Sequence, residues 1–151
     1  MQQLKILNKK ETKRILELIE KQWGFKEELG YAFLMSSKNK IYIINKEVAN
    51  IDTSKIRINS LGLYFAESKT HDIRLSIEGS QIIGQKATKN IIELDQAQAR
   101  NWIKGNDLEM NSEVHGFAIM KHGKDFLGCG RVSGDKVLNF VPKARRLNVS
   151  D

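Results

Sequence analysis

The sequence predicts an α+β fold in two parts: a mixed unit of helix and antiparallel sheet over residues 1–87, then a small β-barrel over residues 88–151. Three observations predict it. Residues 8–23 carry apolar side chains at helical spacing. Residues 31–77 break into short strand-like runs, one of them with a clear apolar/polar alternation. The tail from Gly116 to Val141 reads as three short strands separated by glycine-containing turns.

In the first helix Ile15, Leu18, Ile19 and Trp23 recur on one face, with Lys and Glu between them. Asn8 or Thr12 is placed to cap its start. Glu11, three residues after Asn8, supplies the other half of a capping box, and Gly24 is the stop signal. Tyr31–Ser36 and residues 40–44 flank Ser37, Lys38 and Asn39, which read as a hairpin turn. Residues 46–50 make one short helical turn, and residues 57–65 alternate in part. Over residues 71–77, Ile73, Leu75 and Ile77 share one strand face, and Asp72, Arg74 and Ser76 the other. Ile77–Gly84 begins a short helix. The polar, basic stretch 85–90 is the expected boundary between the two parts. Beyond it, residues 91–94 form a short strand. Asp95 caps a helix reaching about residue 104, with Ala97, Ala99, Trp102 and Ile103 available for packing, and Gly105 ends it. Leu108 lies in a brief extended piece. Strands at 116–121, 126–132 and 136–141 follow, joined at 122–125 and 133–135.

The chain of 151 residues carries 25 Lys and Arg against 18 Asp and Glu, a formal charge of +7 that favours a polyanionic partner. Most of that excess lies before residue 89, yet from Lys136 onward four bases meet only Asp151. The single cysteine, Cys129, excludes an intrachain disulfide and fits a reducing interior. No signal peptide or membrane span is expected, and the chain is read as soluble and cytoplasmic. His71, His115 and His122 are scattered, so no metal site is expected. Leu127-Gly-Cys-Gly-Arg131 lacks the third glycine and the following helix of a dinucleotide fingerprint, and no cofactor is expected. Cys129 between two glycines reads as a small buried hydrophobe rather than a nucleophile.

Binding features are stronger. Lys136, Asn139, Lys143, Arg145 and Arg146 fall on the last strand and the segment leaving it. Strand alternation puts Lys136, Leu138 and Phe140 on one face, and Val137, Asn139 and Val141 on the other. Pro142 fixes the turn and aims the basic residues outward. Guanidinium groups suit bidentate phosphate contact, and an asparagine can read a base or ribose edge. Arg131 belongs to the same set. Lys69, His71 and Arg74 form a second, weaker basic track. A solvated basic tail is the plain alternative for the first set, and a hairpin turn with a solvent-facing strand side for the second.

The run Ile58-Asn-Ser-Leu-Gly-Leu-Tyr-Phe-Ala-Glu-Ser-Lys-Thr-His-Asp-Ile-Arg-Leu75 resembles the pre-PUA signature of the Nip-seven family of ribosome biogenesis factors. Lys40-Ile-Tyr-Ile-Ile-Asn-Lys-Glu47 resembles that family's strand-to-helix passage. The C-terminal half resembles a PUA domain, most of all the PUA-like tail of Sun/Fmu-type RNA cytosine methyltransferases. Gly105, Leu127-Gly-Cys-Gly-Arg131 and Leu138-Asn-Phe-Val-Pro-Lys-Ala-Arg-Arg146 carry that likeness. The resemblances imply a pre-PUA domain over 1–87 packed on a PUA domain over 88–151, and an archaeal source. They imply a non-catalytic role in ribosome biogenesis or in rRNA or tRNA maturation, with uridine-containing RNA as one candidate partner. Residues 108–115 lack the Pro- or Gly-containing loop of many PUA domains, and the methyltransferase catalytic domain is not among these residues.

Two rival readings stay open. One is an accessory subunit that docks a separate RNA-modifying enzyme or ribosome assembly factors through its N-terminal sheet. The other is a small enzyme acting on RNA or nucleotides through His71 or Cys129.

Overall fold

The computed structural model describes residues 4–49 and 62–147. The chain begins with strand β1, Leu4–Ile6, and helix α1, Lys9–Trp23. Asn8 caps α1 in both directions of a capping box. Its side-chain oxygen accepts from the Glu11 N–H at 2.8 Å, and the Glu11 carboxylate accepts from the Asn8 N–H at 3.1 Å. The helix closes at Gly24, whose left-handed φ of 69° a side chain would strain. Ile15, Ile19 and Trp23 bury one stripe of α1.

That stripe covers a five-stranded antiparallel sheet in simple meander order. After β1 come β2, Tyr31–Ser36, and β3, Lys40–Asn45, joined by the expected hairpin with Asn39 at a left-handed φ of 63°. A short helix α2, Lys46–Ala49, follows. The last two strands are β4, Leu63–Ser68, and β5, Ile73–Leu75. The predicted strand over 57–65 therefore shifts C-terminally, and its residues 57–61 lie outside the described residues. The predicted strand over 71–77 shortens to three residues. Ser76 leaves it to cap helix α3, Ile77–Gly84, its hydroxyl accepting from the Gly79 N–H at 3.0 Å. Ile77 thus opens a helix instead of ending a strand.

The second sheet contains β6, Ile91–Glu93; β7, Leu108–Glu109; β8, Gly116–His122; β9, Asp125–Ser133; and β10, Lys136–Asn139. Its order is β6-β8-β9-β10-β7, with only the β6–β8 pair parallel. The sheet curls around helix α4, Gln96–Ile103, which Asp95 caps through a second capping box. The expected small β-barrel is thus a curled half-barrel with β6 and β7 at the edges of its sheet.

Its concave side packs on Trp102, which is fully buried among Ile92, Leu94, Leu108, Met120 and Val137. The Trp102 indole N–H donates to the Leu127 carbonyl at 2.9 Å. Gly130 makes this approach possible, because a Cβ there would stand 2.6 Å from both the Trp102 ring and Val137. The Gly-Cys-Gly run is therefore packing geometry.

Strand β8 is buried on both faces. Ala118 and Met120 face Trp102, whereas Phe117 and Ile119 join the core formed by Trp23, Phe33 and Phe65. Cys129 of β9 belongs to that first core too. The two parts consequently share hydrophobic contacts across residues 85–90. That stretch is itself stitched to α1: the Thr88 N–H donates to the Trp23 carbonyl at 2.8 Å, and the Asn90 side-chain amide donates to the Gln22 carbonyl. Gln22 in turn clasps the Ile73 backbone, donating at 2.9 Å and accepting at 2.8 Å.

Candidate nucleic-acid interface

The union of the two sheets leaves a cleft of about 860 Å³ on one side. The hairpin between β2 and β3 contributes Lys38 to it, and the β4–β5 turn contributes Lys69, His71 and Asp72. Arg74 projects from β5, Phe117 from β8 and Arg131 from β9, while Phe140 follows β10. Two basic groups separated in sequence, Lys69/His71/Arg74 and Arg131, thus meet in one place.

The cleft floor alternates cations and rings. The Arg131 guanidinium carbon lies 5.4 Å from the Phe117 ring centre. Phe117 meets Phe140 edge-on, with centres 6.2 Å apart. The Arg74 guanidinium lies over Phe140 at 4.3 Å. Glu67 sits among the cations, paired to Arg74 at 3.3 Å and to Lys69. Partial burial opposes its ionisation and is the largest single influence. The Lys69 hydrogen bond and the charges of Arg74, Lys69 and Lys40 together outweigh it and hold the carboxyl below its ordinary value.

A second hollow of about 460 Å³ adjoins the first and shares Glu67, Arg74 and Phe140 with it. Tyr64, Pro142 and Arg145 are among its other walls. Burial pushes the Tyr64 phenol up, so it stays neutral and can donate a hydrogen bond. The Tyr64 ring also packs against Tyr42 at 5.6 Å.

The basic tail divides by role. Lys143, Ala144 and Arg145 form a 3-10 turn after Pro142. Lys143 is exposed. Arg145 pairs with Glu78 of α3. Arg146 donates from Nε to the Val141 carbonyl at 3.0 Å and lies over Gly105, whose lack of a side chain gives it room. Its guanidinium is thus partly engaged in holding the tail against α4.

Asn139 also differs from the expectation that it reads a base or ribose. Its amide donates to the Trp102 and Asn106 carbonyls at 2.8 and 2.9 Å, and its oxygen accepts from the Val141 N–H at 2.7 Å. That amide is a latch between β10 and the loop after α4. Lys136 is exposed at the far end of β10, about 13 Å from Phe140 by strand rise. Neither Lys136 nor Asn139 lines the cleft.

Sequence reasoning missed Lys38, Phe117, Phe140 and Glu67 as parts of this site. The one available signal was Phe140, an aromatic placed by alternation on the same face as Lys136. Phe117 lay inside an apolar run and gave none.

Cys129 is buried, and burial pushes its thiol up to about 12. Burial favours the protonated thiol and weighs against Cys129 as a nucleophile, although Cys129 stands on the wall of the second hollow. Among the described residues no group of three His, Cys, Asp or Glu side chains could hold a metal ion. Among them too, no helix is long and apolar enough to cross a membrane.

Residues 89–147 match the family model described as "Methyltransferase RsmF PUA domain". Two proteins, both named ribosomal RNA small subunit methyltransferase F, are similar to the chain. The Aeromonas salmonicida protein is 33% identical over 90 residues, 59% of this chain and 19% of the relative. The Aeromonas hydrophila protein is 27% identical over 135 residues, 89% of this chain and 28% of the relative. The chain thus spans less than a third of the length of these relatives, although the longer match must extend into the first sheet. The C-terminal half is a PUA-type domain similar to that of Sun/Fmu-type RNA methyltransferases.

Proposed function

We propose that this chain is a non-catalytic RNA-binding protein in rRNA or tRNA maturation, or in ribosome biogenesis, acting through its PUA-type domain. The observation that carries this reading is the match of residues 89–147 to the PUA domain of a ribosomal RNA methyltransferase. The convergence of Lys38, Lys69, Arg74 and Arg131 on one cleft, beside the Lys143 turn, supplies the cationic surface such binding needs. The N-terminal sheet stands as a pre-PUA unit. Its signature resembles the Nip-seven family, while the 135-residue match relates it also to the methyltransferases.

Salt dependence of RNA binding tests the proposal. Lys38, Arg131 and Lys143 make no ion pair among the described residues, so Lys38→Gln, Arg131→Gln and Lys143→Gln remove charge without orphaning a carboxylate. Each lost phosphate contact lowers the slope of log affinity against log salt by about 0.7–0.9. The triple variant is expected to lose roughly the sum of these. An unchanged slope overturns the assignment.

A second reading is favoured by the same 135-residue match, which covers most of this chain but 28% of the relative. It casts the chain as an accessory subunit that delivers a separate RNA-modifying enzyme. An RNA methyltransferase co-purifying from native extract, with methyl transfer to ribosomal RNA that rises when this chain is added back, distinguishes it.

A further inference from the structure

Phe140 is an aromatic ring left 36% exposed in the middle of a cationic cleft. Simple attraction to phosphate does not call for it. The ring is also held in place, with Arg74 on it at 4.3 Å and the buried Phe117 against it at 6.2 Å. Phe117 in turn carries the Arg131 guanidinium at 5.4 Å. A guanidinium resting on a ring is fixed in orientation while its in-plane N–H donors remain free for an anion. Arg131 makes no ion pair among the described residues, so those donors are available.

We propose that the cleft between the two sheets holds single-stranded RNA, with a base laid against Phe140 and an adjacent phosphate on Arg131. This deepens the RNA-binding reading and rests on it. Two features favour a single strand over a duplex. First, Phe140 is recessed between sheets, and a base within a duplex has both its faces covered by its neighbours. Only an unstacked base can reach the ring, and every base has a π-face to offer. Second, the cleft does not end at Phe140. The adjoining hollow shares Arg74 and Phe140 with it, and Tyr64 and Arg145 lie beyond. Each volume, about 860 and about 460 Å³, falls within the range that accommodates a small ligand such as a nucleotide. The Arg74–Phe140 pair thus stands between two successive nucleotide positions, with Lys38 and Lys69 at one end of the track and Arg145 at the other.

The test compares a labelled short RNA of mixed sequence, as a single strand and annealed to its complement, by fluorescence anisotropy. Phe140→Leu keeps an apolar side chain and removes the π-face. It is expected to weaken single-strand binding about 5- to 150-fold, the worth of one base–aromatic stack, and to leave duplex binding unchanged. Arg131→Gln is expected to weaken single-strand binding and lower its salt slope. Equal loss for both RNAs with Phe140→Leu, or no loss for either, overturns this inference while RNA binding stands. If the wild-type chain binds neither RNA at low salt, the broader reading fails with it. Photocrosslinking of wild-type protein to the same single strand carrying 5-iodouridine decides the matter even if Phe140→Leu does not fold. Crosslinks are expected on the peptide containing Phe140, and crosslinks confined to other surfaces overturn the inference.

Discussion

Single side chains in this molecule often do work that their type conceals. Asn139 is the clearest case, since its amide joins β10 to the Trp102 and Asn106 carbonyls and to the Val141 N–H. Asn139→Ala leaves these partly buried groups without partners and is expected to destabilise the fold by about 2 kcal/mol, each such bond contributing about 0.5–1.5. That shows as a thermal midpoint lowered by roughly 4–8 °C. RNA affinity of the folded variant should be unchanged, and a variant of wild-type stability with lost affinity would restore the reading role. Glu67 offers the opposite case, a carboxylate that restrains a binding surface by pairing with Lys69 and Arg74. Glu67→Gln is expected to tighten RNA binding several-fold and steepen its salt slope. Its depressed carboxyl also sets a pH dependence. The stabilisation is complete above the ordinary value of 4.5 and fades as pH falls through the lower folded value. The stability gap between wild type and Glu67→Gln should therefore narrow below about pH 4.5 in acid titrations. The capping roles of Asn8 and Asp95 were legible in the sequence because their partners lie three residues away. The role of Asn139 was not, because Trp102 lies 37 residues off.

Elements with strong local patterns are legible in the sequence, and so are the short α2, α3, β6 and β7, whereas β1 and the end of β5 are not. Helix α1, the β2–β3 hairpin and α4 follow from apolar periodicity, caps and turn residues. Strand β1 has three residues, too few to show a period, and exists because β2 offers it an edge. Strand β5 ends early because Ser76 is a good N-cap, a local preference that overrode the alternation running through Ile77. Strand β9 illustrates sequence and packing in agreement. Gly128 and Gly130 bracket Cys129 where the strand crosses Trp102. Gly130→Ala places a methyl against the indole, Val137 and the Leu138 carbonyl, all firmly held. Overpacking of this kind costs about 1–3 kcal/mol. A lowered urea midpoint with an unchanged m-value is the expected result, and a midpoint equal to wild type would mean that α4 can shift aside.

At the scale of the whole molecule, the sequence divides at residues 85–90 while the core does not. The polar composition of that stretch marks it as a boundary because composition reports only exposure. Its contacts with the Trp23 and Gln22 carbonyls depend on how α1 is placed. Phe117, Ile119 and Cys129 of the second sheet are buried against the first unit, so separating the units exposes them. The cleft exists only while they stay joined, since β5 supplies Arg74 and β9 supplies Arg131. Burial of Phe117 and of Ile119 contributes about 1.5–3 kcal/mol each, a large share of the 5–15 kcal/mol that holds a typical domain. The two units are therefore expected to unfold as one. Two tryptophans make this measurable, because Trp23 lies in the first core and Trp102 in the second. Trp23→Phe leaves fluorescence that reports only the second core, and Trp102→Phe leaves fluorescence that reports only the first. Within each variant, the fluorescence and far-ultraviolet circular dichroism transitions in urea should coincide, with m-values matching exposure of the entire surface. Separate transitions, with one core melting while circular dichroism retains half its signal, would show two independent domains and a cleft that can open between them.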